Sequence, residues 1–241
     1  MKKKTKIIAI VAVVLLVVLI VAANMWRGQS RVRSVRVNID YSGCDTLVTE
    51  EQVVELILAA MPTITTHELR DVDLQEVERV AATSPYLHQP DASTTIGGDV
   101  IVYAEQRRPI VRVCTPRGQC YYDTDHQPLP LGKVGNSDVI VANGNLRQKS
   151  KLGEVLSLAS YLDGHRDIGI LFDQIYCDDQ GDLFLTPKLG NHIVQVGDTS
   201  NLDQKFHNLL AMYTRGLPLM GWDTYSIISL KYRGQVVCTR K

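Results

Sequence analysis

An uncharged apolar segment near the N-terminus is the feature that most restricts what this chain can fold into. Four lysines within the first six residues precede it, and the apolar run from Ile7 to Ala23 continues to Trp26. About 20 residues at about 1.5 Å each span the roughly 30 Å hydrocarbon core of a bilayer. The sequence therefore predicts a short cytoplasmic tail over residues 1–6 and a transmembrane helix over residues 7–26.

A cleaved signal peptide is the alternative interpretation of this segment. Val21-Ala22-Ala23 offers small residues at which a peptidase could cut, but the run is longer than the roughly 7 to 15 residues of a signal peptide's apolar region. We therefore expect a retained anchor. Both interpretations export residues 27–241 from the cytoplasm.

The charge balance indicates what kind of partner to expect. The chain carries 26 Lys and Arg against 26 Asp and Glu, so it has no overall basic field that would collect nucleic acid. We expect a protein partner and no nucleic acid. The arginines that follow the apolar run suggest, more weakly, a structural protein of the lipid surface; they are Arg27, Arg31, Arg33 and Arg36.

Five cysteines in an oxidising compartment allow at most two internal disulfides. They are Cys44, Cys114, Cys120, Cys177 and Cys238. Cys114 and Cys120 flank a turn-forming stretch and could face each other across a hairpin. The alternative is that they are small buried hydrophobic residues.

The first exported part alternates between strand and helix patterns. Strand character runs from Val35 to Tyr41, and Thr49 with Gln52 forms a capping box for a helix that continues to Met61. A second box, Asp73 with Glu76, opens another helix. Two strands follow, Tyr86 to Thr95 and Asp99 to Glu105. The order β-α-α-β-β predicts a small α+β domain over residues 27–106.

The chain after Pro109 is mostly strand-like, which predicts a β domain over residues 107–241. Two helices interrupt it, Leu152 to Leu162 and Asn201 to Tyr213. We expect a mostly antiparallel, meandering sheet with both helices on one face. The predicted strands are Ile110 to Thr115, Cys120 to Asp123, Val139 to Ala142, Ile175 to Cys177, Leu183 to Thr186, His192 to Val196, Tyr225 to Tyr232 and Val236 to Thr239.

The sequence contains no arrangement that points to catalysis. The six histidines are scattered and lack a zinc-ligand spacing. The acidic stretch from Asp178 to Asp182 lacks the glutamate that would complete a calcium loop, so a hairpin turn explains it better. There is no Gly-x-Ser-x-Gly nucleophile motif. We therefore expect no enzymatic activity, no metal and no cofactor.

A single anchor followed by a β-α-α-β-β unit resembles the POTRA module. Two later motifs are similar to the β domain of the FtsQ/DivIB family: Gln106-Arg107-Arg108-Pro109-Ile110-Val111 matches its Arg-x-Pro entry, and Tyr121-Tyr122-Asp123 its Tyr-x-Asp run. The stretch from Gly190 to Asp198 resembles the hairpin before the long helix of that family. Ile228-Ser229-Leu230-Lys231-Tyr232 resembles its terminal strand, with Ser229 in place of an acidic residue. The chain is identified as a divergent member.

The resemblance implies a non-enzymatic scaffold in the bacterial inner membrane, with its C-terminal domain in the periplasm and a place at the division septum. The partners it implies are FtsB-like and FtsL-like single-pass proteins. A last strand without a covalent successor offers its edge to an incoming strand. The residues expected to bind are Ile228, Leu230, Lys231, Tyr232, Arg233 and Val236.

Besides the lipid-surface protein considered above, two other classes of protein compete with this interpretation. A POTRA-containing protein that assists export or outer-membrane protein assembly usually leads into a transmembrane barrel, and the strands here are too few and too short for one. A membrane-tethered hydrolase is the second alternative, and residual hydrolytic activity lost on a single substitution would favour it.

Overall fold

The computed structural model describes residues 13–19, 31–41, 43–132 and 137–241. The predicted cytoplasmic tail and both ends of the predicted transmembrane helix lie outside these residues. Residues 13–19 are helical and their side chains are exposed. Within the described ranges, no helix combines the length and the apolar character that a membrane span requires.

The chain divides into two compact units between Gln106 and Arg107. The first unit follows the predicted order β-α-α-β-β, and short 3₁₀ turns join its helices. Its elements are β1 (Ser34–Asp40), α1 (Glu50–Ala60), α2 (Leu74–Ala81), β2 (Leu87–Thr94) and β3 (Asp99–Gln106). Its sheet has the order β1-β3-β2, with β1 parallel and β2 antiparallel to β3.

Local capping explains where the helices of the first unit begin. The Thr49 hydroxyl accepts a hydrogen bond from the Gln52 amide nitrogen at 3.3 Å, and the Gln52 side chain accepts one from the Thr49 amide at 3.1 Å. The predicted capping box of α1 is therefore confirmed. At α2, Asp73 accepts from the amide of Glu76 at 3.2 Å, which is half of the predicted box.

A buried glutamine fastens the loop before α1 to the end of β3. The Gln106 side-chain oxygen accepts from the amide nitrogens of Leu47 at 2.7 Å and Val48 at 3.3 Å. Its side-chain nitrogen donates to the Asp45 carbonyl oxygen at 2.9 Å. Every polar atom of this side chain thus has a partner, as burial requires.

In the part of the second unit that the structure describes, the strands form a nine-stranded sheet. Among the described residues, two longer helices accompany it, together with a π-helical turn (Met212–Gly216) and two single-turn helices that the sequence did not predict. Its elements are β4 (Pro109–Thr115), β5 (Gly118–Asp123), β6 (Pro128–Leu129), β7 (Ile140–Gly144), α3 (Lys149–Gly164), α4 (Arg166–Gly169), β8 (Phe172–Cys177), β9 (Leu183–Pro187), β10 (Ile193–Gly197), α5 (Leu202–Ala211), α6 (Leu217–Met220), β11 (Tyr225–Ser229) and β12 (Val237–Arg240).

The strand order is β12-β11-β10-β9-β8-β7-β4-β5-β6. Five neighbouring pairs are antiparallel, and three, β4 with β7, β7 with β8 and β10 with β11, are parallel. The predicted meander is therefore wrong, because parallel neighbours require a connection that crosses the sheet. The prediction of a mostly antiparallel sheet in an α+β fold holds.

The crossover helices α3 and α5 pack on the same core. Strands β7 and β10 run in the same direction, and each is followed by a helix and a parallel strand on the same side. The strong preference for right-handed crossovers then brings both helices to one face. Phe206 of α5 stacks on Tyr161 of α3 with ring centroids 5.2 Å apart, and both helices bury leucines against the sheet.

The two sequence motifs at the start of the second unit form ion pairs. Arg108 makes a bidentate ion pair with Asp163 of α3, and both nitrogen–oxygen distances are 2.6 Å. Arg107 donates to Asp123 at 2.8 Å. The other Asp123 oxygen accepts from the amides of Asp125 at 3.0 Å and Gln127 at 2.7 Å, which fixes the turn after β5.

The far edge of this sheet is the two-residue strand β6. It begins with Pro128, which has no amide hydrogen to donate. Pro128 pairs with Tyr122 and Leu129 with Tyr121, so its inner side is occupied. A short edge that contains proline is a common protection against pairing with other chains.

Cys114 and Cys120 are both free thiols. In the β4–β5 hairpin, Val113 is opposite Cys120 and Cys114 is opposite Gln119. Successive side chains of a strand point to opposite faces, so Cys114 and Cys120 lie on different faces of the sheet. The register explains why the hairpin disulfide considered from the sequence does not form.

Replacing Asp123 by asparagine should lower the free energy of unfolding by about 2–3 kcal/mol, because it removes the charge that Arg107 pairs with at a buried site. Chemical denaturation of the full chain measures this. Asp125→Asn is the matched control, since the side chain of Asp125 is 60% exposed and that of Asp123 only 2%. Equal losses in the two variants would contradict this role for Asp123.

Candidate partner-binding site

Strand β12 forms the other edge of the nine-stranded sheet. It pairs with β11 in antiparallel register, from Ser229 opposite Val237 to Tyr225 opposite Arg240. Within the described part of the chain no strand pairs with its outer side. The Val237 side chain is 41% exposed, and those of Thr239 and Arg240 are also exposed.

The sequence predicted that the strand from Tyr225 extends to Tyr232, and this is wrong. β11 ends at Ser229. The chain then reverses at Gly234, whose φ of 73° suits glycine, and the Gln235 amide donates to the Tyr232 carbonyl oxygen at 3.4 Å. Because β12 returns along β11, the open edge belongs to the short last strand.

A hydrogen bond at the C-terminal end of β12 shows which of its backbone groups face β11. The amide nitrogen of Lys241 donates to the carbonyl oxygen of Thr224 at 3.3 Å, so Lys241 faces β11. Backbone groups alternate in direction along an antiparallel edge strand. Thr239 therefore also faces β11, while the N–H and C=O groups of Cys238 and Arg240 point away from the sheet. These groups are what an additional strand could bind.

A groove lies beside the loop that joins β11 to β12. Its empty volume is about 370 Å³, including the open side. One wall is the polar face at the start of α5, and the other is the loop. The groove is lined by Ser200, Asn201, Gln204, Lys205, Asn208, Leu230, Lys231, Tyr232, Arg233, Gly234 and Gln235.

Four of the six residues predicted to bind a partner line this groove. They are Leu230, Lys231, Tyr232 and Arg233. Ile228 lies instead in the middle of β11, fully buried and paired with Val194 on one side and Cys238 on the other. Val236 is half-buried against the core. The structure thus brings the four loop residues together and assigns Ile228 and Val236 to packing.

The loop is anchored at its first two residues. Leu230 is 2% exposed, and its amide donates to the Gln195 carbonyl oxygen at 2.7 Å. The Lys231 ammonium donates to Asp182 at 2.7 Å, and this contact raises the pKa of Lys231. The side chain of Lys231 also covers Gly197, where an added Cβ would lie 3.1 Å from it. Tyr232, which follows, is 52% exposed.

The other wall of the groove is held by an ion pair at the start of α5. The Lys205 ammonium donates to a side-chain oxygen of Asp198 and to the Asp198 carbonyl oxygen, each at 2.7 Å. The hydroxyl of Ser200 donates to the same carboxylate at 2.6 Å. The hydrogen bonds from Lys205 and Ser200 lower the pKa of Asp198 to about 2.

Comparison with known protein families shows to which family the chain belongs. The family model described as FtsQ/DivIB, C-terminal related, matches residues 108–239, which is more than half of the chain. This chain belongs to the FtsQ/DivIB C-terminal related family. No curated protein matches it significantly.

Membership of the FtsQ/DivIB family indicates a role in cell division, in a family of non-enzymatic division proteins. It also indicates interactions with other division proteins and association with the membrane at the division site. The match begins at Arg108 and ends at Thr239. It therefore includes the groove and most of the open edge of β12.

An aromatic cluster supports the end of the sheet that carries the candidate site. His192 is buried, and its Nε2 lies 2.8 Å from the Tyr213 hydroxyl. The rings of Tyr213 and Trp222 are 5.4 Å apart. Burial lowers the pKa of His192 and raises that of Tyr213, so both are neutral near pH 7. The cluster ties the segment after α5 to the start of β10.

Sequence reasoning missed the polar residues of α5 that face the loop and placed the open edge one strand too early. The amides Asn201, Gln204 and Asn208 recur at three- and four-residue spacing, which is the signal of a shared helix face. Gly234 was the sign that the chain turns before its last strand.

Replacing Lys205 by methionine should raise the pKa of Asp198 from about 2 toward its ordinary value of 3.8, because the hydrogen bond from Lys205, and with it the positive charge, is removed. A depressed carboxyl pKa stabilises the folded state above the unfolded value, and this stabilisation is lost as the pH falls through about 2. Carboxyl-carbon NMR titration measures the change. Lys188→Met is the control, and an Asp198 pKa that stays at about 2 in Lys205→Met would contradict the ion pair.

Leu230→Ala and Tyr232→Ala should separate packing from binding in the loop. Loss of the buried Leu230 side chain should lower the free energy of unfolding by about 2–4 kcal/mol. Loss of the exposed Tyr232 side chain should lower it by less than about 1 kcal/mol. Chemical denaturation of the full chain compares the two, and a large loss for Tyr232→Ala would mean that this ring belongs to the core.

Proposed function

We propose that this chain is a membrane-anchored scaffold of the bacterial cell-division machinery. In this proposal it recruits FtsB-like and FtsL-like single-pass proteins to the septum without catalysis. Family membership supports the division role. The observation that carries the binding mechanism is the open outer side of β12 at the end of the sheet.

The incoming segment would bind as an added strand. It would pair with the outward N–H and C=O groups of Cys238 and Arg240, and such main-chain bonds provide affinity without depending on side-chain identity. Side chains would then provide specificity. Ile193 lies opposite Ile227, which lies opposite Thr239, and this row ends at the open edge. An apolar or β-branched residue of the partner would extend the row.

The groove beside the β11–β12 loop would hold the part of the partner next to its strand. Tyr232 offers an exposed ring, and the amides of α5 offer donors and acceptors. Lys205 and Lys231 already pair with Asp198 and Asp182. Arg233 has no carboxylate within ion-pair distance among the described residues, so it is the cation expected to receive an acidic side chain of the partner.

The first unit would contact further division proteins, as its resemblance to a POTRA module implies. Its two sheet edges differ. β2 contains Pro90 and a residue with positive φ, Gln89 at 42°, which interrupt its pairing pattern. β1 is regular along its whole length from Ser34 to Asp40. We therefore expect β1 to be the edge of this unit that accepts a partner.

The proposal can be tested by placing a photo-crosslinking amino acid at Tyr232 in living cells that use this chain for division. The crosslinking residue should capture a small single-pass coiled-coil protein at the septum, identified by mass spectrometry. Cys238→Pro should reduce this capture at least about tenfold, because proline removes an amide that points to the partner but takes no part in the pairing with β11. Capture that is unchanged by Cys238→Pro would overturn strand addition.

Two matched variants make that result interpretable. Cys238→Ala keeps the amide hydrogen and should capture the partner normally. Thr239→Pro removes an amide that faces β11, so it should destabilise the fold where Cys238→Pro does not. If Tyr232 captures an outer-membrane chain instead, the export function is supported and the division scaffold is not.

A further inference from the structure

A second concave surface of the β domain lies beyond the C-terminal ends of β4, β7 and β8. Its empty volume is about 1300 Å³, including its open mouth. These three strands are neighbours and parallel. The basin is lined by Thr115, Pro116, Arg117, Gly144, Asn145, Leu146, Arg147, Tyr176 and Asp179.

The position of this basin in the sheet favours a binding site. β4 continues to β5 on one side, whereas β7 continues through α3 to β8 on the other. The segments that follow the three parallel strands therefore leave the sheet at the same edge, with an open space between the β4–β5 turn and the segments after β7 and β8. Open sheets with parallel strands commonly bind ligands in the crevice at the carboxyl ends of those strands.

The walls of the basin are fixed by local contacts. Gly144 has a φ of 102°, and an added Cβ would lie only 2.0 Å from the Cys177 carbonyl oxygen. The Asn145 amide donates to that same oxygen at 2.8 Å, and its side chain donates to Asp179 at 3.1 Å. Only glycine allows this close approach. The backbone at Gly144 and Asn145, which lines the basin, is therefore held in one conformation.

The opposite wall is a hydrogen-bonded turn between β4 and β5. The Thr115 hydroxyl donates to the Gly118 carbonyl oxygen at 2.9 Å and accepts from the Arg117 amide at 3.3 Å. The backbone at Arg117 is thereby held, while its side chain remains exposed.

The basin carries a net positive charge, because two arginines and one carboxylate line it. Arg117 and Arg147 are exposed, and neither guanidinium has a carboxylate within ion-pair distance in the described part of the chain. The carboxylate that lines the basin, Asp179, accepts the hydrogen bond from Asn145. Two guanidinium groups at one site favour two carboxylates, which each can bind through paired hydrogen bonds.

An aromatic surface completes the site. Tyr176 is 44% exposed, and its ring centroid lies 6.4 Å from that of Phe184 on the next strand. A partly exposed tyrosine held by a neighbouring ring presents apolar area at little entropic cost. The basin therefore combines two cations with an apolar wall.

We infer that this basin binds an acidic peptide segment of a partner protein, with glutamate or aspartate on Arg117 and Arg147 and an apolar side chain on Tyr176. A chain of this kind matches the two cations, the exposed ring and the open mouth of the site. The basin shares no residue with the groove beside β12, so binding here is separate from the strand addition proposed above.

Fluorescence anisotropy with the purified full chain tests this inference. The probe is a labelled short peptide of glutamate, leucine and serine, and the control peptide has glutamine in place of glutamate. The glutamate peptide should bind more tightly. Arg117→Gln together with Arg147→Gln should weaken its binding at least about tenfold, as expected when charge-assisted hydrogen bonds are lost.

Arg166→Gln is the matched control, because Arg166 is an exposed arginine of the same unit outside the basin. Arg166→Gln should change the affinity of the peptide less than about twofold, because salt screens the attraction between the peptide and an exposed charge outside the basin. Equal binding of the two peptides, or an equal loss in Arg166→Gln, would overturn the inference. Tighter binding of an oligogalacturonate through Arg117 and Arg147 would also overturn it, in favour of an anionic glycan.

Discussion

The parallel pairing of β10 and β11 is the constraint on which the candidate partner site depends. Two consecutive strands that run in the same direction cannot be joined by a hairpin, so the chain must cross the sheet through α5. That crossing sets α5 against the loop after β11 and so forms the groove. It also leaves room for one more antiparallel strand, and β12 becomes the edge. The groove and the open edge are thus two results of a single connection.

Most secondary-structure elements could be predicted from local patterns, because their signals lie within a few residues. The capping box of Thr49 and Gln52 and the apolar spacing of α3 and α5 are examples. Pairing could not be predicted in this way. Arg108 and Asp163 are 55 positions apart, and nothing near either residue identifies the other. The same limit explains the wrong meander, since the sequence marks where strands are and not which strands are neighbours.

In the candidate site, too, some features could be predicted from local sequence patterns and others could not. Tyr232 and Lys231 were predicted from a motif and line the groove, whereas Ile228 carries the same motif into the core. β11 ends at Ser229, so Ile228 is buried inside the sheet, whereas Lys231 and Tyr232 lie in the exposed loop that follows the strand. The basin with Arg117 and Arg147 had no sequence signal, because its residues come from three strand ends that only the fold brings together.

The two edges of the nine-stranded sheet differ in how well they can pair with an additional strand. β6 has two residues and begins with Pro128, so it offers too few hydrogen bonds to receive β12 of another copy. Head-to-tail joining of sheets, the route by which unprotected edges build filaments, is therefore closed. In the proposed function, copies of this chain would gather side by side at the division site. The asymmetry would let each copy offer β12 to its proposed partner without pairing head-to-tail with neighbouring copies.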